Sequence, residues 1–143
     1  MSEFDDIGAD GVEEVDLDAD GYDETAVMDA DGDATFDTAL MDTDADGTYD
    51  AALLDTDADA DIDMVAYDAD DDGYMDTVEM DTDDDGIVDT IAMDTDADGV
   101  IDTVVLDTDG DGVFDTMAID VDGDGVIDAV GLDTDADGVL DTV

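Results

Sequence analysis

The amino-acid sequence predicts an all-β chain built as a solenoid of short tandem repeats. Three observations predict it. One thirteen-residue unit recurs ten times, each complete unit ends in a four-residue stretch whose second and fourth residues are apolar, and an acidic loop carrying glycine in eight of the ten units precedes that stretch. The chain has 143 residues and a formal net charge of -51, with no lysine, arginine or histidine to oppose its 51 acidic side chains.

The units begin at Asp16, Asp29, Asp42, Asp55, Asp68, Asp81, Asp94, Asp107, Asp120 and Asp133, which define position one. Position three is Asp18, Asp31, Asp44, Asp57, Asp70, Asp83, Asp96, Asp109, Asp122 and Asp135. Position five is Asp20, Asp33, Asp46, Asp59, Asp72, Asp85, Asp98, Asp111, Asp124 and Asp137. Position nine is Glu24, Asp37, Asp50, Asp63, Asp76, Asp89, Asp102, Asp115, Asp128 and Asp141. Position six is glycine except at Ala34 and Ala60, and position eight is apolar except at Asp23. Positions eleven and thirteen are apolar wherever a unit reaches them.

Positions ten to thirteen, as in TVVL at 103–106, have the two-residue period of a short strand. A helix is disfavoured, because about one turn separates successive acidic loops and glycine interrupts nearly every unit. Each unit thus reads as a nine-residue loop and a four-residue strand. One such strand buries too little to fold, so the units must stack on their neighbours. Residues 16–143 form the array, and residues 1–15 align as a degenerate unit in which Phe4, Ile7, Val12 and Val15 would cap the first coil.

Composition removes several classes of function. Phosphate binding needs lysine and arginine, so nucleic acid is excluded as a partner, and an anionic membrane surface is disfavoured for the same reason. No apolar run approaches a membrane span, so no membrane insertion is expected. The opening MSEFDDIGAD carries neither the basic region nor the apolar stretch of a secretory signal. Without cysteine there is no disulfide framework and no thiolate site. Catalysis is not expected: the chain has no His, Cys, Lys, Arg, Asn, Gln or Trp, one serine at Ser2, and carboxylates repeated identically rather than gathered in one cleft.

Aspartates at positions one, three and five bring three carboxylates toward one point when the backbone curls. Glycine at position six permits the bend, the position-seven carbonyl can turn inward, and the acid at position nine closes the shell. Hard oxygen donors in this number suit calcium, which takes six to eight oxygens at about 2.3–2.6 Å. Magnesium requires a tighter octahedron, and zinc and copper prefer donors this chain lacks. Two unit charges about 5 Å apart in water repel by somewhat under 1 kcal/mol, and by more at lower dielectric. A four-carboxylate loop is therefore unfavourable until a cation arrives, and binding energy becomes folding energy. About one Ca2+ per repeat is expected. The weakest sites should be the first unit, with Asp23 and Glu24 out of pattern, and the two loops with alanine at position six.

DVDGDGVID at 120–128 and DTDGDGVFD at 107–115 resemble the integrin-type (FG-GAP/VCBS-like) calcium loops. The resemblance implies calcium held by the first, third, fifth and ninth side chains and the seventh carbonyl. It covers the loop of each unit but not a propeller blade, which needs longer strands. Thrombospondin type 3 repeats are similar in their tandem acidic units, but their cysteines are missing here. The EF-hand pattern fits less well, since only 68–79 supplies an acid at its twelfth position, Glu79, and flanking helices are lacking.

A loop that reverses the chain favours two units per coil: a calcium-stabilised β-roll with two facing parallel sheets, a column of ions along each edge, and next-nearest units as sheet neighbours. Val104 and Leu106 would then meet Met117 and Ile119 of the following unit. The alternative is an irregular calcium-wrapped ribbon without continuous ladders. The functional expectation is a calcium-binding protein that folds on ion binding and serves as a structural, surface or assembly module. An uncovered last coil would allow end-to-end self-association. The type of calcium site favours an extracellular or cell-surface setting. A high-capacity calcium buffer or sensor is the second expectation. The third is ice- or mineral-surface binding through outward ladders of the threonines at positions two and ten.

Overall fold

In the computed structural model, residues 12–16, 21–30, 32–135 and 137–141 are described. Asp18, Asp20 and Asp31, with the capping residues Phe4 and Ile7, lie outside that set. Ten strands occur among the described residues: β1 (Val12–Val15), β2 (Thr25–Met28), β3 (Thr38–Met41), β4 (Ala51–Leu54), β5 (Met64–Tyr67), β6 (Thr77–Met80), β7 (Thr90–Met93), β8 (Thr103–Leu106), β9 (Thr116–Ile119) and β10 (Ala129–Leu132). From β2 onward, each strand occupies positions ten to thirteen of its unit, as the sequence pattern predicts. Val12–Val15 forms an additional strand in the same register against β2.

The strands form one open antiparallel sheet in chain order, each paired with its sequence neighbours. This corrects both architectural expectations. Consecutive units are the sheet neighbours, instead of next-nearest units in two parallel sheets, and the ladders are continuous, unlike those of an irregular ribbon. The physical reason lies at the loop mouth. The position-nine N–H donates to the carbonyl of the residue preceding the loop, at 2.6–3.0 Å in every described case. Both ends of the nine-residue loop are thereby held at ladder distance, and the chain re-enters the same sheet. A facing sheet would lie about 10 Å away. At the far end of each hairpin, the position-one N–H donates to a position-nine carbonyl, as from Asp42 to Glu24 at 2.7 Å, which lengthens the ladder beyond the four-residue strands.

Antiparallel partners share a face of the sheet. Position ten pairs with position thirteen and eleven with twelve, so any given repeat position changes face from one strand to the next. Val104 stands opposite Ala118, and Val105 stands opposite Met117. Val104 and Leu106 therefore lie on the other face from Met117 and Ile119, and the expected apolar column does not form. Each face receives the same alternating set of side chains.

The result is a thin sheet whose buried apolar residues are all alanines: Ala26, Ala51, Ala52 and Ala66. Larger apolar side chains are half-buried or exposed, and the position-eight residues Phe36, Tyr49, Ile62, Ile101, Ile127 and Leu140 are exposed. At the last strand, a methyl group on Gly131 would stand 2.9 Å from Leu140 Cδ1.

Each fully described loop makes two left-handed turns. One is at position six, where Gly47 has φ 100° and Gly86 85°. The other is at position four, where Ala45, Ala58, Asp71, Asp84 and Ala97 have φ of 58–66°. Ala34 and Ala60 adopt the left-handed conformation at position six as well, at φ 75° and 80°. They keep the loop shape at the cost of a Cβ crowded against the backbone. Ala60→Gly is therefore expected to stabilise the fold by about 1 kcal/mol, read as a raised thermal midpoint under fixed ionic conditions.

Candidate metal centre

Because every loop reverses the chain, loops of alternate units fall on opposite edges of the sheet. Loops 42–50, 68–76, 94–102 and 120–128 follow one edge, and loops 29–37, 55–63, 81–89, 107–115 and 133–141 follow the other. Neighbours along an edge are two strands apart, roughly 10 Å at the usual strand spacing.

Loop 42–50 shows how the backbone gathers the acids. Asp42 is buried, at 4% exposure. Its Oδ1 accepts from the N–H groups of Ala45 at 2.7 Å and Asp46 at 3.3 Å, and its Oδ2 accepts from Gly47 N–H at 2.9 Å. Asp44 accepts from Asp46 N–H at 3.1 Å, and Asp46 accepts from Thr48 N–H at 2.8 Å. Asp50 accepts from both the N–H and the hydroxyl of Thr43, each at 2.6 Å. The first acid thus caps the curl, and the ninth is pinned back across the loop to position two.

This scheme recurs down the sheet. Position-one acids accept from the position-six N–H at 2.7–2.9 Å in the loops of Asp55, Asp68, Asp81, Asp94, Asp107, Asp120 and Asp133. In the second unit, Asp29 accepts from Gly32 and Ala34, and Asp37 from Ala30 N–H. Position-five acids accept from the position-seven N–H, as Asp98, Asp111, Asp124 and Asp137 do at 2.9–3.0 Å.

The curl brings together many of the predicted ligands. One carboxylate oxygen from each member of the sets Asp42–Asp44–Asp50, Asp55–Asp57–Asp63, Asp68–Asp70–Asp76 and Asp81–Asp83–Asp85 lies within 4.8 Å of the others. That span matches the widest oxygen separation across a coordination sphere of about 2.4 Å radius. Glu79, the acid expected from the EF-hand pattern, stands instead in β6 opposite Val65 and Ile91.

Hydrogen bonding divides the acids electrostatically. Thr43, Thr56, Thr82 and Thr134 hold the carboxyls of Asp50, Asp63, Asp89 and Asp141 below the ordinary carboxylate value, and Thr108, followed by Thr116, does the same for Asp115. Asp102 is held down by Thr103 and then Thr95. Four position-three acids behave oppositely. Burial, followed by the carboxylates at positions five and nine, pushes Asp57, Asp70 and Asp83 up, and Asp96 is pushed up first by Asp98. Position three is where the loop's negative charge is least compensated.

Threonines at positions two and ten are placed within the loops and the sheet. Position-two hydroxyls are engaged inside the loops, at 2.5–2.6 Å from Asp50, Asp63, Asp89 and Asp115. At position ten, Thr25, Thr90 and Thr103 are buried.

Sequence reasoning missed two acids, Asp71 and Asp84, at position four of adjacent units. Asp84 joins Asp57 and Asp59 of the loop two units earlier, with oxygens within 4.8 Å, and lines a cavity of about 280 Å³ with Thr56, Asp57, Asp63, Asp81 and Thr82. The Asp59 carboxylate, then burial, pushes Asp84 up; Asp71 is raised by burial and then by Asp44, Asp50 and Asp46. The available signal was the pair of unbroken acidic triplets, 70–72 and 83–85, which occur only in these two units. A phenol makes a further link between loops. Tyr22 donates to Asp42 Oδ2 at 2.6 Å, which lowers Asp42 and pushes the phenol up to about 12.

Comparison with known proteins found no matching family model, no matching curated protein and no matching solved structure.

Two outcomes are expected from these charges. Raised position-three groups bind protons more readily in the folded state, so metal-free stability should rise as pH falls from neutral toward the ordinary value of 3.8. Below that value the lowered position-nine groups are protonated in turn, and their contribution is lost. Thermal melts in chelator across pH 3–7 should therefore pass through a mildly acidic maximum. Asp84→Asn should stabilise the metal-free chain and weaken cation uptake by loop 55–63, on the order of tenfold, as measured by calorimetric titration.

Proposed function

We propose that the chain is a calcium-binding repeat protein that folds on multivalent Ca2+ binding and acts as a structural or assembly module. The observation that carries this reading is the recurrence of aspartate oxygens gathered within 4.8 Å of one another in successive loops. Oxygen-only donors, a flexible curl and high negative charge favour calcium over magnesium or a transition metal. Positions one, three, five and nine supply the side chains, and Asp71 and Asp84 add acids to loops 42–50 and 55–63.

The thin sheet supports the link to folding. With buried apolar residues limited to alanines, burial alone gives little to set against the repulsion of the loops. Ions would remove that repulsion at both edges and lock adjacent hairpins in register. One divalent ion per unit would neutralise well under half of the formal charge of -51, so marked salt dependence should persist in the loaded protein. No described helix is long and apolar enough to cross a membrane.

The decisive experiment combines calorimetry with circular dichroism on metal-stripped protein titrated into the millimolar calcium range. Heat of binding should accompany the appearance of β signal, and chelator should reverse both. A spectrum indifferent to calcium would defeat the proposal.

A further inference from the structure

Loop 68–76 differs from its neighbours at one atom. In Asp42, Asp55, Asp81, Asp94, Asp107 and Asp120, Oδ1 accepts from the position-four N–H at 2.7–2.9 Å. Asp68 accepts through Oδ2 from Gly73 N–H at 2.8 Å, but its Oδ1 is buried without a hydrogen-bond partner. The residue as a whole is 6% exposed, and its carboxylate belongs to the set Asp68–Asp70–Asp76.

A buried carboxylate oxygen without a donor is costly in a way that a donor-satisfied one is not. The cost falls on the ion-free loop and disappears when a cation takes the oxygen as a ligand. The gain on binding is correspondingly larger here than in loops whose first acid is already satisfied. We propose that loop 68–76 takes up the first cation, a hard divalent ion held by Asp68, Asp70 and Asp76, with Asp68 Oδ1 as a direct ligand. This inference rests on the calcium reading and specifies the order in which the loops fill. Loop 68–76 joins β5 to β6, the middle pair of strands, so ordering would begin at the centre and spread toward both ends.

Tyr74 makes the first step observable, since its N–H donates to Asp72 within the same loop. Its ring also stands over Gly99 of loop 94–102, 3.4 Å from where a methyl on that residue would lie. The experiment is a terbium titration of the full chain from below one equivalent, excited through tyrosine, with calorimetry in parallel for terbium and calcium. Tyr67 directly precedes Asp68 and is a second donor of excitation, so emission in the first equivalent should fall in Tyr74→Phe and vanish when Tyr67→Phe is added. The first binding step should weaken at least tenfold in Asp68→Asn and persist in Asp94→Asn. First-step emission that survives Asp68→Asn unchanged, or that Asp94→Asn abolishes, overturns the inference and leaves calcium binding standing. Should Asp68→Asn fail to fold, undiminished first-step emission in the double variant Tyr67→Phe/Tyr74→Phe overturns it independently. Absence of any calorimetric uptake of either ion overturns the calcium reading along with it.

Discussion

Backbone N–H groups, joined by threonine hydroxyls, are the donors this chain turns toward its carboxylates in quantity, and the fold is arranged around their supply. Each loop spends them unevenly. The first acid receives those of positions four to six, the fifth receives that of position seven, and the ninth is tied to position two, as Asp42, Asp46 and Asp50 illustrate. The third acid sits nearest the remaining charge with the least help, which is why Asp57, Asp70 and Asp83 are held above the ordinary carboxylate value. Amide dipoles can draw four acids into a curl, but they leave a focus of negative potential at its centre. The geometry that closes the loop also groups acids that could hold a metal ion.

Loop closure also decides the sheet. Joining the last residue of a nine-residue loop to the residue that precedes the loop by one backbone bond makes the connection a hairpin, and a succession of hairpins is an antiparallel meander. The register then carries each repeat position to alternate faces. Neither face can become a dedicated core, because both receive the same residues, and packing remains shallow on each side.

Much of this was legible from residues 94–120 alone. The strand TVVL, the chain-reversing loop and the acids at positions one, three, five and nine were all marked by type and spacing. Sheet topology was less accessible, since a reversing loop serves a facing sheet as readily as an adjacent strand. What separates the two is a backbone bond, such as that from Asp102 N–H to the Met93 carbonyl at 3.0 Å, which carries no side-chain signature. The left-handed turn at position four was hidden for a related reason. Glycine marks it only at Gly32, Gly110 and Gly123, while alanine or aspartate occupies it at Ala45, Ala58, Asp71, Asp84 and Ala97. The reach of Asp84 into another loop depends on contacts between residues 25 and 27 positions apart, which no single repeat displays.

That reach makes the pair of units, rather than the single unit, the true period of the molecule. Excising residues 55–67 would leave the thirteen-residue rhythm intact, yet every later loop would cross to the opposite margin. Asp84 would then confront the acids of 42–50, and Asp71 those of 29–37. Changes of repeat number are therefore not equivalent: an even change preserves parity, whereas an odd one exchanges the two margins downstream.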